Sequence, residues 1–288
     1  MKNTLKKAWH SALIIIKLVV PIYILADILY YYNILSYISF IFEPITSFLE
    51  LPKEAALAIV SGVFLNLYAA IAFAAPLDMS SFEWSILAIF LGVCHSLLVE
   101  NAIMKKLGIS VVYSYFLRFF GGLIIAKSAT FIPKEFFESA KEQTSFVAPS
   151  YNSFSELLLH SIYNATILTL KIIVLISALI IVMDFIKNLS FIKSSSKNLS
   201  TPFSIFIGLF LGITYGAGVL INEVKSLSKT EIFYIATFLM ICHSIIEDTL
   251  LFVLFGANFW IVVAIRVIWA IILGYILTVI YRRLYENS

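Results

Sequence analysis

Six stretches of about twenty or more largely apolar residues constrain this 288-residue chain more than any motif. They are Ser11–Tyr31, Phe82–Met104, Val111–Phe131, Leu157–Met183, Phe233–Phe255 and Phe259–Ile280. A helix of about 20 apolar residues crosses a bilayer core of roughly 30 Å. In lipid every backbone amide must find its partner within the segment, so runs of this length predict spanning helices. Composition agrees: 20 Lys+Arg and 17 Asp+Glu leave 13% charged residues, and the mean hydropathy is +0.99. Soluble domains carry roughly 25% charge. A net charge of +3 without a basic cluster excludes a nucleic-acid footprint.

Two further segments, Lys53–Ala75 and Pro202–Ile221, are apolar but interrupted by small or polar residues such as Ser61, Gly62, Asn66, Gly212 and Gly216. Basic residues decide between spans and re-entrant hairpins, because they concentrate in cytoplasmic loops. With both segments re-entrant, Lys2, Lys6, Lys7, Lys105, Lys106, Lys187, Lys193, Lys197, Lys225, Lys229, Arg282 and Arg283 share one side. Only Lys53, Lys127, Lys134 and Lys141 lie on the other. Eight spans would place Lys53, Lys105, Lys106, Lys187, Lys193 and Lys197 outside instead. The charge distribution therefore predicts six spans, two hairpins and both termini in the cytoplasm. The first run follows three lysines as a secretory signal would, but it is twice the usual length and no small-residue cleavage site follows.

The chain also repeats itself. Cys94-His95-Ser96 recurs as Cys242-His243-Ser244, 148 residues later, and Arg118 falls on Arg266 at the same offset. Upstream, SGVFLNLYAA (61–70) parallels IGLFLGITYGA (207–217). Ordered matches over several segments signal duplication. Three spans and a hairpin per copy make the second copy enter from the opposite face, an arrangement used by secondary transporters. The expected fold is thus an all-α polytopic membrane protein of two inverted repeats, each with three spanning helices and one re-entrant helical hairpin. Residues 1–132 and 154–288 form the copies, and the polar stretch 133–153 links them.

Ionisable side chains at membrane depth are costly and face an interior or a wet cavity. His95, Glu100, Asn101, His243, Glu247 and Asp248 are the candidates for a central polar site, with Asn66, Tyr68, Thr214 and Tyr215 as hairpin contacts. On continuous helices, His243 and Glu247 share a face, whereas His95 and Glu100, five apart, diverge by roughly 140°. Arg118 and Arg266 are expected to pair with Glu100 and Asp248. The alternative for the whole set is helix packing by satisfied polar groups, and for the glycines close helix approach. Glu247 and Asp248 are adjacent where the first copy has Glu100 and neutral Asn101, which points to the second copy as the cation- or proton-sensitive one.

Cys94 and Cys242 form neither a disulfide framework nor a CxxC site. There is no GxxxxGK[ST], HExxH or GxSxG pattern. The reading is accordingly of a non-enzyme without a cofactor, and any metal remains unassigned.

LPKEAALAIVSGVFLNLYAAIA, followed by the span ending CHSLLVENAIMKKLG, resembles the Gate or nucleoside-recognition membrane domain. Ferrous iron transporter B, concentrative nucleoside transporters and spore-maturation membrane proteins contain that domain. The resemblance covers residues 10–130 and 155–284. It implies a gated membrane path and fixes no solute; together with the repeat and the polar centre, the expected function is an inner-membrane permease that moves a small polar or ionic solute, nucleoside-like or a metal ion, between two inverted halves. Expected partners are the lipid bilayer, the solute, a coupling proton or sodium ion, and a second copy of the chain. The competing implication is a non-transporting membrane scaffold or assembly factor of the spore-maturation type.

Overall fold

The computed structural model describes residues 2–34, 41–138, 151, 153–188, 205–206, 208–210 and 227–285, and it is helical with no strand among them. Each of the six apolar runs becomes a helix, or helix pair, long and apolar enough to cross a membrane. These are Thr4–Tyr31, Ser81–Lys106, Val111–Ala129, Phe154–Ile186, Lys229–Val253 and Phe259–Leu284.

Helix α1 (Lys2–Tyr31) runs through Pro21 and packs along the long α9 (Phe154–Asn188). The short α2 (Glu43–Phe48) leads to α3 (Ala56–Phe64) and α4 (Leu67–Ala74). At 1.5 Å per residue these two are about 13 and 12 Å long, well short of a bilayer core. They pack on each other and α4 packs on α1, as a helical hairpin requires. Between them the chain leaves helical geometry at Leu65 and Asn66, and the Asn66 side chain caps α4 by accepting from the Ala69 amide at 3.0 Å. The corresponding second segment, including Thr214 and Tyr215, lies outside the described residues.

Two spans form the centre. Ser81–Lys106 and Lys229–Val253 are 72% and 78% buried along their most apolar stretch, against 22–33% for the other four. The outer helices turn residues such as Val174 and Trp260 outward. Lipid is a suitable solvent for such a surface, and water is not.

Both central spans are interrupted. The first is α5 (Ser81–Cys94) followed by α6 (Leu97–Lys106); the second is α10 (Lys229–Ile241) followed by α11 (Ile245–Val253). Ser96 and Ser244 stand at φ 48° and 44°, the left-handed region that non-glycine residues seldom occupy. Apolar runs of this length predict continuous helices, and the structure breaks both. No glycine or proline marks the breaks, and tertiary hydrogen bonds help hold the first: Ser96 N donates to Gly62 O at 2.9 Å and Ser96 Oγ to Leu65 O at 3.0 Å.

The remaining spans are α7 (Val111–Phe116) and α8 (Gly122–Ala129), joined by a π-wound stretch Leu117–Gly121, and α12 (Phe259–Tyr285). Local structure repeats at the 148-residue offset. Ser80 and Glu83 form a capping box at the start of α5, and Ser228 and Glu231 form one at the start of α10.

Candidate functional site

The breaks create the site. Interrupting a helix leaves carbonyls without their usual donors, and in lipid water cannot supply them. An arginine answers in each copy. Arg118 Nε donates to Val93 O at 2.8 Å and its Nη2 to His95 O at 2.7 Å. Arg266 Nε donates to Ile241 O at 3.2 Å and its Nη2 to His243 O at 2.9 Å. These are the same bonds 148 residues apart, and both arginines are fully buried. Arg118 leaves from the π-wound turn, a feature often found at functional positions. Arg266 makes one further bond, from Nη2 to Gly92 O at 2.6 Å, which ties α12 to α5.

The two histidines are equally matched. His95 Nδ1 lies 2.8 Å from Leu91 O, and His243 Nδ1 lies 2.8 Å from Leu239 O. A carbonyl oxygen can only accept, so each Nδ1 carries the proton and each ring turns Nε2 inward. The ring centroids are 5.2 Å apart.

Glu100 stands between them. Its Oε1 is 3.1 Å from His95 Nε2 and 3.3 Å from His243 Nε2, and its Oε2 is 2.5 Å from Arg118 Nη2. The Arg118 contact is one of charge, because Oε2 has no donor aligned as a hydrogen bond. The expectation that His95 and Glu100 point apart fails because it assumed an unbroken helix. The left-handed turn at Ser96 restarts the helix in a new direction and brings Glu100, in the first turn of α6, back to His95. For the same reason the i, i+4 argument for His243 and Glu247 does not apply across Ser244. A carboxylate in contact with His243 Nε2 is Glu100, from the other broken span.

Asp248 occupies the first turn of α11, with Oδ2 3.7 Å from Arg266 Nη2. Its Oδ2, like His243 Nε2, is buried without an aligned hydrogen bond. His95, His243, Glu100 and Asp248 are 7%, 1%, 8% and 6% exposed, so the centre is screened from bulk solvent. One donor atom from each of His95, His243 and Asp248 falls within 4.8 Å of the others, a spacing that a metal ion can bridge.

The other expected residues surround this core. Asn101 is buried beside Ser114, whose hydroxyl lies 2.5 Å from Asn101 Oδ1 and 3.1 Å from Met240 Sδ. Glu247 is half-buried next to Asp248. Tyr68, half-buried on α4, lies within electrostatic range of both Glu247 and Asp248. Asn66 is engaged as the cap of α4.

Sequence reasoning missed Gly92 and Asp27. A Cβ on Gly92 would sit 2.8–2.9 Å from Cζ, Nη1 and Nε of Arg266, so only glycine leaves the guanidinium room. Asp27 is buried in α1 and accepts from Ser161 Oγ of α9 at 2.5 Å. An acidic residue inside the first apolar run was the signal for it.

Residues 12–110 match the family model described as Gate, nucleoside recognition. The chain is also similar to an uncharacterised membrane protein, YvoD, of Bacillus subtilis (strain 168). The two are 29% identical over 275 residues, covering 89% of this chain and 87% of the relative. No solved structure matches it. The match spans α1, the hairpin α3–α4 and the broken span α5–α6, and so takes in His95, Glu100 and Asn101.

Proposed function

We propose, with the Gate domain at residues 12–110 as the premise, that this multi-pass protein is an inner-membrane permease for a small polar or ionic solute. The solute passes between two inverted halves, residues 1–132 and 154–288, joined by the linker 133–153, with both termini in the cytoplasm. No nucleotide is hydrolysed; one half moves against the other, with a proton or sodium gradient as the driving force. The observation that carries this reading is the meeting of two equivalent helix breaks, with the His95 and His243 rings 5.2 Å apart beside Glu100. Broken helices aimed at one polar centre are how inverted-repeat carriers build solute sites.

Glu100 and Asp248 hold different positions in this scheme. Glu100 is held by Arg118 and faces both imidazoles, whereas Asp248 keeps an oxygen without an aligned donor. Uptake is to be measured in vesicles containing the full chain, with nucleosides and divalent cations as solutes and a proton or sodium gradient imposed. Asp248→Asn is expected to weaken coupling to the gradient more than Glu100→Gln, per folded molecule. Both variants are expected to fold and insert. Equal loss of coupling in both variants defeats the assignment.

A second reading is a scaffold that carries no solute and assists assembly of other membrane proteins. The fully buried Arg118 and Arg266, bonded across both breaks, favour it by locking the centre. The absence of uptake for every solute by well-folded wild-type protein selects this reading.

A further inference from the structure

Arg118 and Arg266 approach Glu100 Oε2 and Asp248 Oδ2, but no cation stands between the two histidine Nε2 atoms and Glu100 Oε1. Each histidine is fixed as the Nδ1–H tautomer by a carbonyl, so each presents an Nε2 lone pair to the interior. Facing both lone pairs is an oxygen of Glu100, at 3.1 and 3.3 Å. Asp248 contributes a further buried carboxylate, and its Oδ2 and His243 Nε2 both lack an aligned hydrogen bond. Lone pairs and carboxylate oxygens repel at these distances unless a proton or a cation stands between them, and one proton can bridge only one of the two Nε2–Oε1 contacts. Protonating both imidazoles would bury two more positive charges 5.2 Å apart, beside two buried guanidinium groups. A single metal ion satisfies the same atoms through coordination bonds.

We propose that His95 Nε2, His243 Nε2 and an Asp248 carboxylate oxygen bind one first-row divalent transition metal ion, with Glu100 beside both imidazoles as the fourth donor. Three features of the site fit. Imidazole nitrogens and carboxylates suit zinc-like ions. A tetrahedral site with metal–ligand bonds of about 2.0–2.1 Å has ligand atoms roughly 3.3 Å apart, close to both Glu100–histidine separations. Histidines that bind metal commonly donate their other ring N–H to a carbonyl or carboxylate, and both Nδ1–H groups here do so. Closing the wider spacing, up to 4.8 Å among His95, His243 and Asp248, needs side-chain shifts of about 1–2 Å. No sequence pattern announces this site, because its ligands come from two copies 148 residues apart and from either side of two helix breaks. The ion would join the copies, since His95 and Glu100 come from one and His243 and Asp248 from the other.

The inference deepens the permease reading by naming the ion class at that same centre, and it rests on that centre being functional. Its test is binding to the full-length chain in detergent, purified without a histidine tag and stripped of metal. Co2+ is the spectroscopic probe and Zn2+ the calorimetric one. The expected result is one ion per chain, visible Co2+ d–d bands of a tetrahedral site, and no thiolate charge-transfer band from Cys94 or Cys242. Binding weakens at least tenfold in His95→Asn and in His243→Asn, and it is unchanged in the control His10→Asn/His160→Asn. Should the central variants fold poorly, the wild type still decides: Zn2+ raises its melting temperature and Mg2+ does not. Absence of the d–d bands, a thiolate band, or equal Zn2+ affinity in folded His95→Asn and wild type overturns the proposal. Metal binding without uptake of any solute sustains the site and removes the permease; coupled uptake by protein that binds no ion does the reverse.

Discussion

Gly92→Ala tests the geometry of the centre most directly, because a single methyl group meets a single buried charge. The added Cβ would lie 2.8–2.9 Å from three atoms of the Arg266 guanidinium, closer than carbon and nitrogen can approach without bonding. The guanidinium has little room to retreat, since it is fully buried and bonded to Gly92 O, Ile241 O and His243 O. Overpacking of this kind costs about 1–3 kcal/mol. Displacing Arg266 forfeits at least one hydrogen bond from a charged donor, about 1.5–3 kcal/mol. Alanine's better helix propensity returns roughly 0.5–1 kcal/mol. The net expectation is a loss of about 2–5 kcal/mol. Gly122→Ala is the matched control. Its Cβ would make ordinary contacts of 3.5–3.6 Å with Phe90, Val93 and Cys94, so the variant should equal or exceed wild-type stability. The assay is thermal denaturation in a mild detergent, followed by loss of monodisperse protein. Gly92→Ala melting together with Gly122→Ala would refute the packing described around Arg266.

Three further outcomes are expected. Replacing Arg118 with Ala strands the Glu100 carboxylate and frees the carbonyls of Val93 and His95; it should destabilise by about 3–5 kcal/mol, whereas Lys, keeping the charge but only one donor position, should lose less. In a background lacking Cys94 and Cys242, cysteines at Ser80 and Lys141 should react with an impermeant reagent from outside, and those at Lys106 and Ser195 should not; outside labelling at Lys106 would overturn the six-span topology. Lys127 bonds Glu50 at 2.8 Å and holds that carboxyl below its ordinary range, so its stabilisation is present above the usual glutamate pKa and lost as pH falls through the depressed value. Because Glu50 is 41% exposed, the effect should stay below about 1 kcal/mol and shrink with salt, which melting curves of Glu50→Gln across acidic pH can check.

Most of the framework was legible because it depends on composition and length. Six apolar runs became six spanning-length helices, and the short, small-residue segment at Lys53–Ala75 became a packed pair of helices. His95, His243, Arg118 and Arg266 stood out because a costly polar residue recurred at a fixed offset. Their mutual geometry did not. It depends on two serines in left-handed conformation, and serine carries no local signal for that state. Once Ser96 and Ser244 are placed, the helical-wheel angles between His95 and Glu100 lose their meaning, and a carboxylate facing His243 comes from the other broken span. Gly92 was equally silent, since its need for a bare Cα comes from Arg266, 174 residues away.

The bonds from Ser96 to Gly62 and Leu65 have a mechanical consequence. They rivet the α3–α4 hairpin to Ser96, two residues past the end of α5 and one after His95. A displacement of the hairpin tip therefore pulls on the backbone that aims the imidazole, as a crank turns its shaft. In a moving carrier the hairpin and His95 would travel together.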